Sequence, residues 1–213
     1  KKKIIRNVQG LARNVRYKIL LNYCIRNNIN ALLTAHNLED QVETFFIRLS
    51  RGSGLNGLSS MNFSSKLDGK INLYRPLLDV KKKLLIKISK NIFGKYFKDP
   101  SNKNLKYLRT KVRNLRKPLE KSGVEYEQII KSINNLAASK ATLNEYLKKI
   151  FKEMVKKKGR EILLNFKKFK EYNKEIKIAL INESIKRLKK NYYNPRSKKV
   201  ENLIKNVEKM NFK

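Results

Sequence analysis

Three side chains that can carry acid–base chemistry lie close together in the chain: His36, Asp40 and Glu43, at spacings of four and three residues. His36 is the chain's single histidine. Residues three or four apart share a face of a helix. A helix beginning near Asn37 would therefore place Asp40 and Glu43 on one face, with His36 directly before its N-terminus. The structural alternative is that these carboxylates merely complement the helix dipole and that the imidazole has a packing role.

The elements expected to position these residues are a short strand and a helix. The apolar run Ala31-Leu32-Leu33 has the length of a buried strand. Asn37 is the predicted N-cap of the helix, and Asp40 is its capping-box partner. An apolar stripe then has helical spacing, and it consists of Leu38, Val42, Phe45, Phe46 and Leu49. The acids thus follow the carboxyl end of a strand, which is where open α/β sheets bind ligands.

The glycines after this helix match a dinucleotide-binding fingerprint, but their context differs from it. Residues Gly52, Gly54 and Gly57 satisfy G-x-G-x-x-G, the dinucleotide fingerprint, but that fingerprint requires a preceding strand and a helix starting within it. Here a helix is predicted to precede it. We interpret the segment as a helix end followed by a flexible turn. The sequence contains no Walker-type phosphate loop.

Composition restricts the class of partner. The 213 residues allow one large or two small domains, and the formal net charge of +35 requires a polyanion to neutralise it. Nucleic acid is favoured over an anionic membrane surface. The single cysteine, Cys24, excludes an internal disulfide and fits a cytoplasmic location. No apolar run approaches the ~20 residues of a membrane span. The chain begins without Met, and we interpret it as a fragment.

Further elements follow in chain order. Residues 7–25 are predicted to form an amphipathic helix with Leu11, Val15, Ile19 and Tyr23 as its apolar stripe. Residues 59–69 are polar and rich in turn formers, and residues 71–74 form a short predicted strand. A helix from about residue 80 to 92 is predicted, capped by Asp79 and ended by Gly94. Helices are also expected from about residue 126 to 159 and from 174 to 190.

A row of arginines follows the Asp99-Pro100-Ser101-Asn102 turn. Arg109, Arg113 and Arg116 recur every three or four residues beside an apolar stripe, and no acidic residue separates Asp99 from Glu120. A one-sided arginine row suits bidentate contacts to phosphate. Near the C-terminus, residues 192–199 mix tyrosines with basic residues, a combination used to stack and neutralise single-stranded nucleic acid. The stripe beside the arginines is predicted to be buried, and it consists of Leu105, Leu108, Val112 and Leu115.

The run TAHNLEDQVETFFIRLSRGSGLNGL closely resembles the motif of the tRNA(Ile)-lysidine synthetases of the PP-loop ATPase superfamily. That motif reads approximately T-A-H-H-x-D-D-Q-x-E-T, a hydrophobic run, and R-L-x-R-G-S-G-x-x-G-L. Asn37 and Glu39 depart from it, standing where His and Asp are common. The resemblance extends to RPLLDVKKKLL, to DPSN and to the arginines after it. It is strong over residues 7–119 and weak beyond them.

The resemblance implies an activity. Enzymes of this family use ATP and Mg²⁺ to adenylate the wobble cytidine of a tRNA(Ile) with a CAU anticodon, and the ε-amine of free L-lysine then displaces AMP. By this resemblance Asp40 and Glu43 serve lysine binding and catalytic geometry, His36 and Ala35 lie near the nucleotide, and Arg113 contacts it. No protein metal ligand is assigned. The RNA-binding candidates are Arg48, Arg51, Arg109, Arg113, Arg116, Arg196 and Lys198.

The expected fold is α/β. It comprises the C-terminal part of a PP-loop domain with a Rossmann-like parallel sheet, residues 1–119, and an all-helical tRNA-recognition extension, residues 120–213. The family's S-G-G-x-D-S phosphate loop does not occur in this sequence, so we expect the chain to be inactive alone. Two alternatives stay open: another PP-loop tRNA-modifying enzyme, such as a cytidine thiolase, and a non-enzymatic basic RNA-binding module. Thiolases usually carry paired cysteines, which argues against the first. The sequence does not determine the oligomeric state.

Overall fold

The structure is a computed structural model that describes residues 8–97, 104, 106–159, 161–189 and 197–209. The chain divides into two compact units, Lys1–Ala137 and Ala138–Lys213. The described helices are α1 (Val8–Arg26), α2 (Leu38–Leu49), α3 (Leu55–Leu58), α4 (Lys82–Phe93), α5 (Leu108–Asn114), α6 (Arg116–Lys121), α7 (Tyr126–Met154), α8 (Phe166–Glu171), α9 (Lys174–Lys189) and α10 (Ser197–Lys209). The described strands are β1 (Ala31–Leu33), β2 (Ser64–Leu67), β3 (Ile71–Tyr74), β4 (Val155–Lys158) and β5 (Glu161–Leu164).

The first unit contains a small mixed sheet with the strand order β1-β3-β2. Strand β1 pairs with β3 in parallel, with Leu33 opposite Tyr74, as expected for a βαβ crossover. Strand β2 pairs with β3 in an antiparallel hairpin. Our prediction of a polar turn over residues 59–69 missed β2. The hairpin turn contains Asp68 and Gly69, both with positive φ, and an Asp-Gly pair is a strong hairpin signal.

Two apolar clusters hold the first unit together. One joins α2 to the start of α7 through the buried residues Leu38, Val42, Tyr126, Ile129 and Ile133. Phe45 and Phe46 of α2 pack against it, so most of the predicted α2 stripe is confirmed, although Leu49 is 47% exposed. The other joins α1 to the sheet through Leu21, Cys24 and Ile71. Cys24 is therefore a buried thiol.

Helix α1 forms where the sequence predicts it, but its predicted apolar stripe does not contact the sheet. Leu11, Val15, Ile19 and Tyr23 are 51%, 58%, 62% and 61% exposed. The buried face is the opposite one, which carries Leu21 and Cys24. Apolar residues thus occur on both sides of α1, and spacing alone cannot identify which side packs on the sheet.

Helix α4 begins later than predicted and has a different cap. Its N-cap is Lys81, which makes no side-chain cap, so the predicted Asp79 cap is wrong. Instead the Lys82 N–H donates to Glu39 Oε2 of α2 at 2.8 Å. A carboxylate from a neighbouring helix therefore replaces the local one. Gly94 ends the helix with φ +67°, as predicted.

The described part of the second unit contains three helices besides the end of α7, together with a β-hairpin whose first strand we predicted to be helical. Helix α7 ends at Met154, and Val155–Lys158 pairs with Glu161–Leu164. The turn contains Gly159 with φ +59°, a conformation that Gly adopts without strain and that reverses the chain. The hydrophobic core includes Ile150, Phe151, Phe169, Leu180 and Val200. Helix α9 was predicted, whereas α8 and α10 were not.

Candidate active site

The candidate site is built on the first turns of α2, immediately after β1. The Asp40 N–H donates to Asn37 Oδ1 at 3.1 Å, and the Asn37 N–H donates to Asp40 Oδ2 at 3.1 Å. This is the predicted capping box, and it is confirmed. One oxygen of Asp40 is therefore fixed in the cap, which orients the carboxylate beside the strand exit.

His36 is half-buried and held by the end of the strand. Its Nδ1 lies 2.9 Å from Thr34 Oγ1, and the Thr34 N–H donates to the Tyr74 carbonyl at 2.9 Å. Burial lowers the pKa of His36 below its ordinary value, while the negative charge of Asp40 opposes this shift. The imidazole is therefore mainly neutral at pH 7 and can accept a proton or a hydrogen bond.

Glu43 is buried, with 2% of the residue exposed, and it contacts two guanidinium groups. Arg113 donates to both carboxylate oxygens, through Nε to Oε1 and through Nη2 to Oε2 at 3.2 Å. Arg109 Nε lies 3.1 Å from Oε2. Burial raises the pKa of Glu43, and the hydrogen bond and charge of Arg113 oppose that rise. Glu43 thus fixes two arginines in place.

The third arginine of the row also contacts carboxylates. Arg116 Nε lies 2.7 Å from Glu120 and its Nη1 lies 3.4 Å from Glu39, while its guanidinium carbon stands 4.7 Å from the centre of the Tyr126 ring. In the sequence no acidic residue is interleaved with these arginines. In the fold the carboxylates come mainly from α2, a contact that local sequence cannot reveal.

The apolar stripe beside the arginines is buried only in part. Val112 is 4% exposed, whereas Leu108 and Leu115 are 41% and 45% exposed, so the prediction that these two leucines are buried is wrong. The helix breaks at Leu115, between α5 and α6, and the expected stripe is therefore not continuous. Leu105 and the turn at residues 99–102 lie outside the described residues.

A cavity of about 370 Å³ opens between α2, α4, α5, α6 and α7 on the side of Glu43. Its charged lining combines carboxylates with lysine and arginine side chains, so it can bind an anion or a zwitterion. Sequence reasoning missed the contributions of α4 and α7 because they depend on packing. The lining residues are Glu39, Glu43, Lys82, Lys83, Ile86, Arg113, Arg116 and Tyr126.

Other residues of the matched run stabilise the loop after α2. Gln41 is buried, accepts the Met61 N–H at 2.8 Å and donates to the Met61 carbonyl at 2.8 Å. Arg48 donates to the carbonyls of Gly57 and Ser60 at 2.7 and 2.8 Å. A Cβ atom on Gly57 would lie 2.5 Å from Ser53 Cβ, so the loop requires glycine there. The segment also contains the short helix α3, which we had interpreted as a flexible turn.

The remaining candidates are dispersed. Ala35 is exposed beside His36, and Arg51 is exposed in the turn after α2. Lys198 is exposed on α10 in the second unit, and Arg196 lies outside the described residues. Thr34, the hydrogen-bonding partner of His36, was matched in the run but not assigned a role; its position two residues before the histidine was the available signal.

Comparison with known proteins decides the family. The family model described as a PP-loop domain matches residues 1–119, which is more than half of the chain. The chain belongs to the PP-loop domain family. The α/β class and the PP-loop fold predicted from the sequence are thereby confirmed.

Curated relatives of this PP-loop chain are named tRNA(Ile)-lysidine synthase. The protein from Wolbachia pipientis wMel is 36% identical over 197 residues, covering 92% of this chain and 46% of the relative. That from Orientia tsutsugamushi is 45% identical over 118 residues, covering 55% and 26% respectively. The PP-loop chain thus spans under half the length of these relatives.

Among solved structures, the U34-tRNA thiolase NcsA from Methanococcus maripaludis matches with a TM-score of 0.49 and 20% identity, over 64% of this chain and 46% of that one.

Within the described part of the PP-loop chain, no helix is long and apolar enough to cross a bilayer. The same residues contain no cluster of three or more His, Cys, Asp or Glu side chains placed to hold a metal ion.

Proposed function

We propose that this chain is part of a cytoplasmic tRNA(Ile)-lysidine synthetase. The enzyme would adenylate the wobble cytidine of a tRNA(Ile) with a CAU anticodon, releasing pyrophosphate from ATP. The ε-amine of free lysine would then form the new C–N bond and displace AMP. The observation that carries this proposal is the constellation at the exit of β1, where His36, Asp40 and the pair of Glu43 and Arg113 follow a parallel strand.

Asp40 is the proposed partner of lysine. Its carboxylate is oriented by the capping box and is one helical turn from His36. A carboxylate can orient an ammonium group and accept its proton, which an amine must lose before it attacks. Ala35 and His36 would lie beside the nucleotide, because they follow the carboxyl end of β1, where open α/β sheets bind ligands. A neutral His36 can accept a hydrogen bond there without adding charge.

Glu43 serves catalytic geometry in this proposal rather than proton transfer. Its buried carboxylate holds Arg113 and Arg109 at fixed positions, and the planar guanidinium of an arginine suits a phosphate group. Arg113 is 29% exposed at the side chain, so it remains partly accessible from the cavity. Stabilising the charge on a pyrophosphate leaving group is an established use of such cations.

Magnesium would bind at this site only together with the nucleotide. Mg²⁺ is commonly held by one or two protein carboxylates together with substrate phosphates. The described residues contain no group of three or more His, Cys, Asp or Glu side chains that could hold a metal ion, and no protein ligand is assigned to the ion. When bound, the ion would neutralise phosphate charge.

The tRNA contacts are proposed for the basic residues around the site and in the second unit. Residues 1–119 would form the catalytic part and residues 120–213 a tRNA-recognition extension. In the first unit these contacts would come from the exposed or half-buried arginines, and in the second from the C-terminal helix and the residues before it. The proposed set is Arg48, Arg51, Arg109, Arg113, Arg116, Arg196 and Lys198.

A chimera tests the proposal, because the chain spans less than half of its relatives. The chain would replace the matching segment of the Wolbachia pipientis enzyme, and transfer of radiolabelled lysine to a CAU-anticodon tRNA(Ile) transcript would be measured with ATP. We expect transfer in the chimera and a loss of at least about a hundredfold with Asp40→Asn. Lys66→Gln, an exposed substitution on β2, is the matched control.

Two outcomes would oppose the proposal. A folded chimera that binds tRNA and transfers no lysine would favour the RNA-binding module. A chimera whose Asp40→Asn variant transfers lysine normally would remove Asp40 from the chemistry. Circular dichroism and tRNA binding by each variant separate these results from simple misfolding.

A further inference from the structure

Helix α4 presents an unusual amount of apolar surface to solvent. Leu84, Ile88 and Ile92 are 50%, 43% and 67% exposed, and the aromatic residues Phe93 and Phe97 are 70% and 80% exposed. None of the residues of α4, all of which the structure describes, is buried. Contiguous exposed apolar side chains commonly mark an interaction surface.

The same segment is strongly basic. Residues 80–97 contain six lysines and no acidic residue. Lys81 pairs with Glu127. In the described part of the chain, by contrast, no carboxylate lies within ion-pair distance of Lys83, Lys87 or Lys90. These three charges are therefore available to a polyanion.

The aromatic end of the segment combines a ring with a cation. Lys95 Nζ lies 5.4 Å from the centre of the Phe97 ring, and most of that ring faces solvent. Exposed rings beside cations are the elements with which proteins bind single-stranded nucleic acid, since bases stack on the rings while the cations contact phosphates. An anionic membrane would also match the charge, but it would not require an ammonium group placed against the face of an aromatic ring.

The surface is continuous with the candidate site. Lys82, Lys83 and Ile86 of α4 line the cavity that also contains Glu43 and Arg113. From Ile86, the last of these residues along α4, the helix extends for about 10 Å to Phe93. Any polymer that enters the cavity and follows α4 would therefore meet the lysines first and the two rings at the far end.

We propose that α4 and residues 94–97 bind an unpaired RNA segment next to the candidate site. We call this surface the α4 track, and define it as Lys83, Lys87, Lys90, Phe93, Lys95 and Phe97. The lysines contact the phosphates and the two phenylalanine rings stack with bases. The inference rests on the proposed function, because it supplies a contact for the unpaired nucleotides that surround a modified base.

The test measures RNA binding by the whole 213-residue chain through fluorescence anisotropy. The probes are a labelled single-stranded RNA dodecamer and the same strand in a duplex, each at several salt concentrations. One variant combines Phe93→Ala with Phe97→Ala, and a second changes both residues to Leu. A third combines Lys87→Gln with Lys90→Gln, and its matched control is Lys66→Gln with Lys70→Gln, on and beside β2.

The expected results differ between variants. Removing the rings should weaken binding of the single strand by about tenfold or more, with the salt slope unchanged, and Leu should not restore it. Loss of two lysines from α4 should reduce the slope of log affinity against log salt by about 1.4. The control lysines should change affinity by less than about twofold, and duplex RNA should respond weakly to loss of the rings.

Several results would show that the α4 track does not bind unpaired RNA. These are equal losses for the α4 and control lysines, full recovery with Leu, and equal effects on the single strand and the duplex. Binding to vesicles of phosphatidylglycerol that depends on the rings, with RNA binding unaffected, would assign the surface to membranes. Lysine transfer is not measured here. If the chimera transfers lysine but the α4-track variants bind RNA as tightly as the unaltered chain, the α4 track is rejected and the proposed function stands.

Discussion

We expect Arg113→Met to destabilise the first unit more than Glu43→Gln does, although both substitutions break the same ion pair. The Glu43 side chain is 3% exposed, whereas those of Arg113 and Arg109 are 29% and 37% exposed. Losing Arg113 leaves a negative charge in a buried position. Losing the charge of Glu43 leaves guanidinium groups that can turn towards water. The asymmetry follows from which partner is buried.

The magnitude follows from the same exposures. Removing one partner of a buried pair costs about 3–5 kcal/mol. Because Arg109 still contacts Glu43 in Arg113→Met, we expect the lower end, about 3 kcal/mol. Glu43→Gln loses charge-assisted hydrogen bonds but also removes a buried charge, and we expect about 1–2 kcal/mol. Arg116→Met is the matched control, because its partner Glu120 is 42% exposed and its second partner, Glu39, keeps the hydrogen bond from the Lys82 N–H. This substitution should cost about 1 kcal/mol or less.

The assay is amide hydrogen exchange under denaturant, followed in peptides from α2 and α5. Peptides from α9 and α10 provide an internal reference, because the second unit contains neither partner. The effect of Arg113→Met should also depend on pH. Burial raises the pKa of Glu43, and loss of Arg113 raises it further, so the native state binds a proton more readily than the unfolded chain. The penalty is full above the raised pKa and is relieved as the pH falls through it towards the unfolded value.

The reasoning would be refuted if Glu43→Gln cost as much as Arg113→Met, or if Arg116→Met cost as much as either. A penalty for Arg113→Met that does not change between pH 7 and pH 4 would also contradict it. The double variant closes a thermodynamic cycle. It should be more stable than the sum of the two single losses predicts, because the stranded carboxylate is then absent.

Three further predictions follow from the site. The imidazole of His36 should titrate below 6.5 by NMR, and Asp40→Asn should lower the midpoint further, because Asp40 raises this pKa; a midpoint above 6.5 would contradict burial as the cause. Gly57→Ala should lower thermal stability, since its Cβ would lie 2.5 Å from the Ser53 side chain, and Ser53→Gly should restore it. Glu39→Ala should cost about 1 kcal/mol and accelerate exchange at the start of α4, whereas unchanged exchange would show that its cap is dispensable.

Local signals predicted the elements next to the site. Asn37 and Asp40 form the capping box that their spacing indicates, and β1 and β3 occur where short apolar runs predict strands. These features depend on neighbouring residues, so one segment of sequence contains the necessary information. Hairpins were missed for a different reason: Asp68 and Gly159 reverse the chain, but the strands before them, Ser64–Leu67 and Val155–Lys158, are short and mostly polar.

Contacts between distant segments could not be predicted in this way. Glu43 and Arg113 are 70 residues apart in the chain, and the pairing of Glu39 with the backbone of Lys82 spans 43 residues. Sequence showed an arginine row without interleaved acids and predicted an open phosphate-binding face. The fold supplies the acids from α2, so the arginines are positioned by carboxylates before any ligand binds.

The matched run therefore combines two kinds of requirement. Gln41 holds the Met61 backbone, Glu43 holds Arg113, and Arg48 holds the loop at Gly57, so each of these polar residues has a partner within the protein. His36 and Asp40 differ, because their contacts lie within their own turn and leave them at the strand exit. Much of the polar pattern that resembles a catalytic motif is thus explained by folding. The proposed function therefore assigns the chemistry to the two residues whose internal contacts only orient them.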